Sequence, residues 1–412
     1  MTDKKHVVII GAGTAGVMVA NMLSKKDGMM VTVIDPAEFH YYQPGFLLYP
    51  FNRHSFDEIH RPTASLLSRK VLFMQQAVTD IAPQKKTVTI ADGTEVSYDV
   101  LVIATGTQID PSQTEGLLCD DWHKTIFDFY TPDGAEMVRS ALQAFQGGRF
   151  VVQVMDMPIK CPVAPLEFVF LADDYFKKPG IRDAVQPSFV TPLSGAFTKP
   201  VASEKLGHLL AEKNIEVITD FYTEKVDGSA HTVYCYDGRI FNYDVLVTIP
   251  TNVGAPILRT QDFVDDMGFV QVDPHTLQSI KHQDIFAVGD ATNVATSKAG
   301  SVAHFEAHVL VTNIRDYIAG KPLSEAFDGH SNCFVEMGGG KSLLLDFNYD
   351  TQPYEGSFPF AGIGPMKLLR PSRINHISKL AFRYIYWYML LPGRPIPFIP
   401  NKMSLKGKKI EG

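Results

Sequence analysis

The chain has 412 residues, 45% of them hydrophobic and 20% charged, with a formal charge of −7. That composition excludes a disordered or low-complexity chain and supplies core for two or three domains; no nucleic-acid partner is expected. Four cysteines (Cys119, Cys161, Cys235, Cys333) are too few for a disulfide scaffold and show no metal-ligand spacing, so no metal is expected. The N-terminus runs straight into the apolar stretch Val7–Ile10, with neither a signal-peptide nor a transit-peptide pattern.

The first predicted elements are a buried strand, a glycine turn and an apolar helix in "HVVIIGAGTAGVMVANML", followed by the strand "VTVID". Gly11, Gly13 and Gly16 allow a tight turn and close approach of a pyrophosphate to the helix N-terminus. Asp35, 19 residues after Gly16, stands where an acid bonds a ribose hydroxyl. Two later strands end in Ala-Thr-Gly ("YDVLVIATG", Tyr98–Gly106) and Gly-Asp ("DIFAVGDAT", Asp284–Thr292). Both resemble motifs of the flavoprotein superfamily with two dinucleotide-binding domains. The resemblance implies FAD, with Asp290 on its ribityl chain and the helix Ser301–Ile318 aimed at the ring.

The middle of the chain repeats the plan. "RFVVQVM" (Arg149–Met155) reads as a buried strand followed by a helix over Pro165–Phe176, and "YDVLVTIPT" (Tyr243–Thr251) echoes "YDVLVIATG". Alternating strands and helices imply parallel sheets. The expected fold is α/β, with two Rossmann-like domains, the second inserted in the first, and a C-terminal amphipathic membrane-binding region. The boundaries are 1–108 with 265–330 for the FAD domain, 109–264 for the second domain and 331–412 for the C-terminal region.

Where the second domain should have its own glycine turn stands Asp156-Met-Pro-Ile-Lys-Cys-Pro, with no glycine before Gly180. Prolines remove N–H donors, so the loop is a poor cradle for a nicotinamide dinucleotide. It offers a thiol instead. Together with "NCFVEMGGGK" around Cys333, "SKAG" (Ser297–Gly300) and "HYYQPG" (His40–Gly45), the loop resembles the sulfide:quinone oxidoreductases over nearly the whole chain.

That resemblance implies a catalytic Cys161–Cys333 pair attacked by sulfide, with electrons passing through FAD to quinone. It implies cofactor contacts at Thr14, Ala15, Gln43, Pro44, Val78, Ala104, Thr105, Gly106, Gly289 and Lys298, and quinone contacts at Gly300, Phe334, Phe358 and Phe360. Lys160 and the following helix N-terminus are expected to favour a thiolate at Cys161. Glu167 reads equally as a proton shuttle and as a first-turn acid facing the helix dipole. Cys119 stands near a third family cysteine, which the resemblance implies either joins the flavin or assists the sulfur chemistry, and reads otherwise as a spectator; Cys235 reads as a structural hairpin residue. His304, Glu306 and His308 read as helix packing rather than a metal site.

From Met366 on, ten Lys/Arg stand against Glu411, a net +9 that leaves −16 for the rest. "RINHISKLAFRYIYWYMLL" sets Ile374, Ile377, Leu380, Ala381, Tyr384, Ile385 and Tyr388 on one helical stripe, flanked by Arg373, Lys379 and Arg383. Its longest uncharged run, Tyr384–Leu391, is far below the ~20 residues that span a bilayer. The pattern reads as peripheral and monotopic, binding an anionic lipid surface to reach quinone, with removal expected to leave the flavin in place; a core helix packing back on the protein is the alternative. Self-association into a homo-oligomer is left open. The rival readings are a type II NADH:quinone dehydrogenase, the flavin subunit of a cytochrome-linked sulfide dehydrogenase, and a flavin-binding scaffold without turnover.

Overall fold

Val7 to Ile10 form a strand because β-branched side chains suit a pleated backbone, and all four bury inside the sheet. The computed structural model describes residues 4–25, 28–396 and 399–409. It places this strand at the centre of a five-stranded parallel sheet, ordered Ile285–Ala287, Val100–Ile103, Lys5–Ile10, Met29–Ile34, Val71–Met74. A second five-stranded parallel sheet runs Ile126–Phe127, Val245–Ile249, Gly148–Val154, Val185–Val190, Glu216–Ile218. The two echoing segments take the same place, each beside the first strand of its own sheet. Strand Ile285–Ala287 returns to the first sheet, so the strands of the second lie in an excursion out of the first.

Four helices position the site: α1 (Thr14–Leu23), α2 (Ala164–Lys177), α3 (Gly300–Ile318) and α4 (Arg373–Ile385). A third, four-stranded sheet contains Ser331–Glu336, Ser342–Phe347, Met366–Leu368 and Gly356–Phe358. Its inner residues Cys333, Val335, Leu343 and Leu345 share one buried cluster with Phe168 and Leu171 of α2.

The basic C-terminal segment keeps the expected apolar stripe outward but buries two of the cations expected to flank it. Helix α4 is inside-out: Asn375, Lys379 and Arg383 are buried, while Ile374, Ile377, Tyr384 and Tyr388, on and just beyond it, are 47%, 63%, 58% and 55% exposed. Three of the tail's ten cations are paired with acids from elsewhere in the fold, Lys379 with Glu167, Arg383 with Glu58 and Lys408 with Asp346. Glu411 lies outside the described residues.

Past α4, Tyr386, Trp387, Leu390 and Leu391 are buried in the first domain's core. Asn21 donates to the Leu391 carbonyl at 2.9 Å. His40 Nδ1 lies 2.8 Å from the Ala12 carbonyl, and its Nε2 2.5 Å from the Tyr386 hydroxyl. Burial pushes His40 down to about 4, so the ring is neutral at pH 7. Nδ1 must donate to the carbonyl, and Nε2 therefore accepts from Tyr386, whose oxygen then accepts from Thr14 at 2.8 Å. This part of the tail thus packs into the first sheet's core, and deleting it would open that core. Trp387→Ala should cost ~3–5 kcal/mol of stability in a urea melt, the usual range for emptying a buried aromatic site; a neutral result would mean the segment merely rests on the surface.

Candidate active site

The three sheets meet around a cleft of about 500 Å³, a size that suits a bound organic cofactor. Its floor needs glycine twice. Gly11 has φ +103°, and a Cβ there would lie 2.4 Å from the Ala104 carbonyl oxygen; a Cβ on Gly16 would lie 1.9 Å from the Gly11 oxygen. Asp35 accepts from the Ala12 N–H at 2.6 Å and the Ala37 N–H at 2.7 Å, which fixes its carboxylate at the rim. Asp290 faces the cleft with no side-chain hydrogen bond among the described residues, and burial raises its carboxyl against the pull of Lys298 and Lys160. A cradle without side chains and an unsatisfied carboxyl fit a pyrophosphate and a hydroxylated chain respectively.

The cysteine loop is held from three directions. Lys160 N–H donates to Asn252 Oδ1 at 2.9 Å, and Asn252 N–H returns a bond to the Pro158 carbonyl at 2.9 Å. Tyr130 hydroxyl donates to the Lys160 carbonyl at 2.6 Å. Cys161 N–H donates to the Lys298 carbonyl at 2.7 Å, which ties this loop to the first domain. Cys161 itself has φ +47°, a left-handed conformation that costs a non-glycine residue of order 1 kcal/mol and gathers at functional sites. Cys333, 172 positions away in sequence, lines the same cleft from the third sheet.

The electrostatics correct the thiolate expectation. Burial raises the Cys161 thiol above the ordinary range, and Glu167 and Cys333 add to that, with Lys379 opposing. Cys333 is pushed up to about 11, chiefly by burial. Both are poor thiolates at rest. Glu167 is no solvated first-turn acid either: its Oε2 accepts from the Glu336 N–H at 2.8 Å and is ion-paired with Lys379. Burial pushes Glu167 up to about 7 against the lowering pull of Lys379, while Glu167 and Glu336 raise Lys379. Glu167 can therefore gain or lose a proton near neutral pH beside a charged Lys379.

Gly13, Thr14, Ala15, Asp35, Gln43, Pro44, Ala104, Thr105, Gly106, Gly289, Asp290 and Lys298 all line the cleft, as do Gly300, Phe334 and Phe358. Lys298 spends its ammonium on the Asp290 and Thr292 carbonyls at 3.0 and 2.6 Å, bracing the Gly-Asp turn. Glu306 braces the same turn, accepting from Gly289 N–H at 2.6 Å. His304 is buried against the cleft, and His308 packs edge-on to it.

Five expected site residues fall outside the lining, two of which, Gly11 and Gly16, shape the buried turn beneath Gly13 rather than facing the cleft. Val78 pairs with Ile90 in an outer sheet and packs on the first core. Phe360 is exposed beyond the cleft. Cys119 is drawn away because its segment is pinned to the hairpin around Val226, whose N–H donates to Glu115 at 2.9 Å, and it packs with that satellite core. Cys235 is buried in the same core. Sequence reasoning missed Tyr130, Asn252, Glu336 and His376, and misplaced Lys379. A buried-strand pattern continuing into an asparagine (Pro250-Thr-Asn252) was the one signal for Asn252.

A family model described as pyridine nucleotide-disulphide oxidoreductase matches residues 5–152. The chain is 28% identical to the mitochondrial sulfide:quinone oxidoreductase of Schizosaccharomyces pombe, over 92% of this chain and 88% of that one. It is 26% identical to the Mus musculus mitochondrial sulfide:quinone oxidoreductase, over 95% and 88%. The solved sulfide:quinone oxidoreductase of Aquifex aeolicus superposes with a TM-score of 0.80 at 22% identity, covering 95% of this chain and 92% of that one. At that identity the likeness is one of fold.

Lys379→Met should destabilise the protein by ~3–5 kcal/mol, since it leaves Glu167 buried without its partner. Lys379→Met combined with Glu167→Gln should recover most of the loss in the same denaturant melts. Additive losses would mean that the two side chains do not act as a pair.

Proposed function

We infer that this chain is a sulfide:quinone oxidoreductase, an FAD enzyme that takes two electrons from sulfide and delivers them to a quinone. The observation that carries the reading is one cleft holding two distant cysteines beside a dinucleotide cradle, in a chain aligned with such enzymes over most of its length. A type II NADH dehydrogenase is less well supported, because the loop before α2 offers prolines and a thiol where a second pyrophosphate would need N–H donors.

Cys161 and Cys333 act as a redox pair. Hydrosulfide attacks their disulfide; a sulfur–sulfur bond forms to the incoming atom, the Cys161–Cys333 bond breaks, and one cysteine keeps a persulfide while the other leaves as thiolate. Because burial disfavours thiolates here, the reactive nucleophile is the incoming sulfide rather than a resting cysteine. Bound FAD supplies the two-electron step between sulfur and quinone. Gly11, Gly16, Asp35 and Asp290 would hold it. Tyr130, Asn252 and Lys298 keep the Cys161 loop still, and the Glu167–Lys379 pair holds a proton at the cleft wall.

The quinone comes from lipid. Among the described residues no helix is long and apolar enough to cross a membrane. The outward apolar face of α4, extended by the loop residue Ile363 at 85% exposure, would rest on an anionic bilayer. Met366, Ser378, Ala381, Phe382 and Ile385 line the cleft from this same region, so its mouth would open next to the lipid.

Cys161→Ser and Cys333→Ser should each retain FAD and lose sulfide-dependent quinone reduction by orders of magnitude; either variant turning over near the wild-type rate would sink the paired mechanism. Ile363→Glu with Ile377→Glu should leave the flavin bound and abolish flotation with anionic vesicles. A double variant that still floats would place the lipid contact elsewhere.

A further inference from the structure

Quinone reduction consumes two protons, and the cleft wall that would deliver them is a buried pair. Behind that pair stands a second acid. Glu336 is fully buried at the end of strand Ser331–Glu336, and its backbone N–H is the donor to Glu167 at 2.8 Å. Both of its carboxylate oxygens lie near His376 Nδ1, at 2.9 and 3.0 Å, and Oε1 also accepts from the Ser342 hydroxyl. Lys379 follows His376 by one turn of α4, and its ammonium is held charged by Glu167 and Glu336 together. Lys379 lines the cleft; His376 does not, and the 13% of its side chain that is exposed meets solvent elsewhere. The charged group in contact with the ring is Glu336, on the strand packed against α4.

We propose that His376 and Glu336 form the route by which protons from solvent reach the Lys379–Glu167 pair and so the quinone, an inference that rests on the quinone-reducing reading above. Glu167 gives its proton to a quinone oxygen, and Lys379 refills Glu167. Lys379 then takes a proton from Glu336. His376 passes its Nδ1 proton to Glu336 and gains one from water at Nε2, and the ring then turns over to present that proton to Glu336 for the next pass. Each pass moves one proton and no electrons, so two passes serve the two-electron reduction. A mere clamp for α4 would not need this arrangement, since Asn375 already bonds both the N–H and the carbonyl of Lys367 at 3.0 and 2.7 Å. His376 acts through Glu336 and Lys379 rather than on substrate.

The test reads the two half-reactions of the holoenzyme separately by stopped flow. Flavin reduction by sulfide should be unchanged in His376→Gln and His376→Ala. In a second experiment the flavin is reduced beforehand with dithionite, so the quinone step is read whether or not sulfide is the donor. Reoxidation by a short-chain quinone should slow on the order of 10²-fold, the usual weight of a proton-transfer group, with a raised solvent deuterium isotope effect. Imidazole should restore it in His376→Ala, and both variants should purify with flavin bound as in the wild type. Glu336→Gln should slow the same step without rescue by imidazole. Reoxidation at the wild-type rate in His376→Gln, or a slow His376→Ala that imidazole leaves slow, overturns the relay. Failure of sulfide to reduce the wild-type flavin would overturn the donor assignment alone.

Discussion

The Glu167–Lys379 contact joins helix α2, the third sheet and helix α4 across 212 positions of sequence. Taking two charges out of water costs several kcal/mol per ion, and a well-packed apolar pair in the same place is often as stable or more so. The fold offsets the cost with a backbone N–H from Glu336 and a backbone carbonyl from Phe334. An ion pair kept at such expense, at the wall of a cleft, is better explained by chemistry than by stability. It also dictates how α4 sits: turning Lys379 inward forces Ile374, Ile377 and Tyr384 outward.

The two parallel sheets are the same device used for different ends. In the first, the turn after the central strand is a glycine cradle with no room for side chains. In the second, the equivalent turn carries Cys161 in a strained conformation, braced by Asn252 at the end of the echoing strand. The Cys161–Lys298 backbone bond ties the two turns together, so the sulfur site is held against the cofactor site by main-chain atoms.

What was legible in the sequence is what depends on local sterics and spacing. Gly11 and Gly16 are readable because no other residue fits, and the "YDVLV" echo because duplicated strands keep their pattern. The cleft's two cysteines could be paired only through resemblance, since nothing local links Cys161 to Cys333. The tail's outward apolar stripe was legible, but helical periodicity does not say which of the flanking cations turn toward the protein. The acids that answer Lys379, Arg383 and Lys408 come from distant segments, and charge counting cannot see them. Proximity to a helix N-terminus likewise suggested a reactive thiolate at Cys161, and burial outweighs it.

The central claim is that sulfide, not a nicotinamide, reduces the bound flavin through the two cysteines. An anaerobic titration of the purified holoprotein, followed at the flavin absorbance, tests it most directly. Sulfide should bleach the flavin in proportion to the amount added, quinone should restore the colour, and NADH should leave the spectrum unchanged. Bleaching by NADH with no response to sulfide would contradict the account.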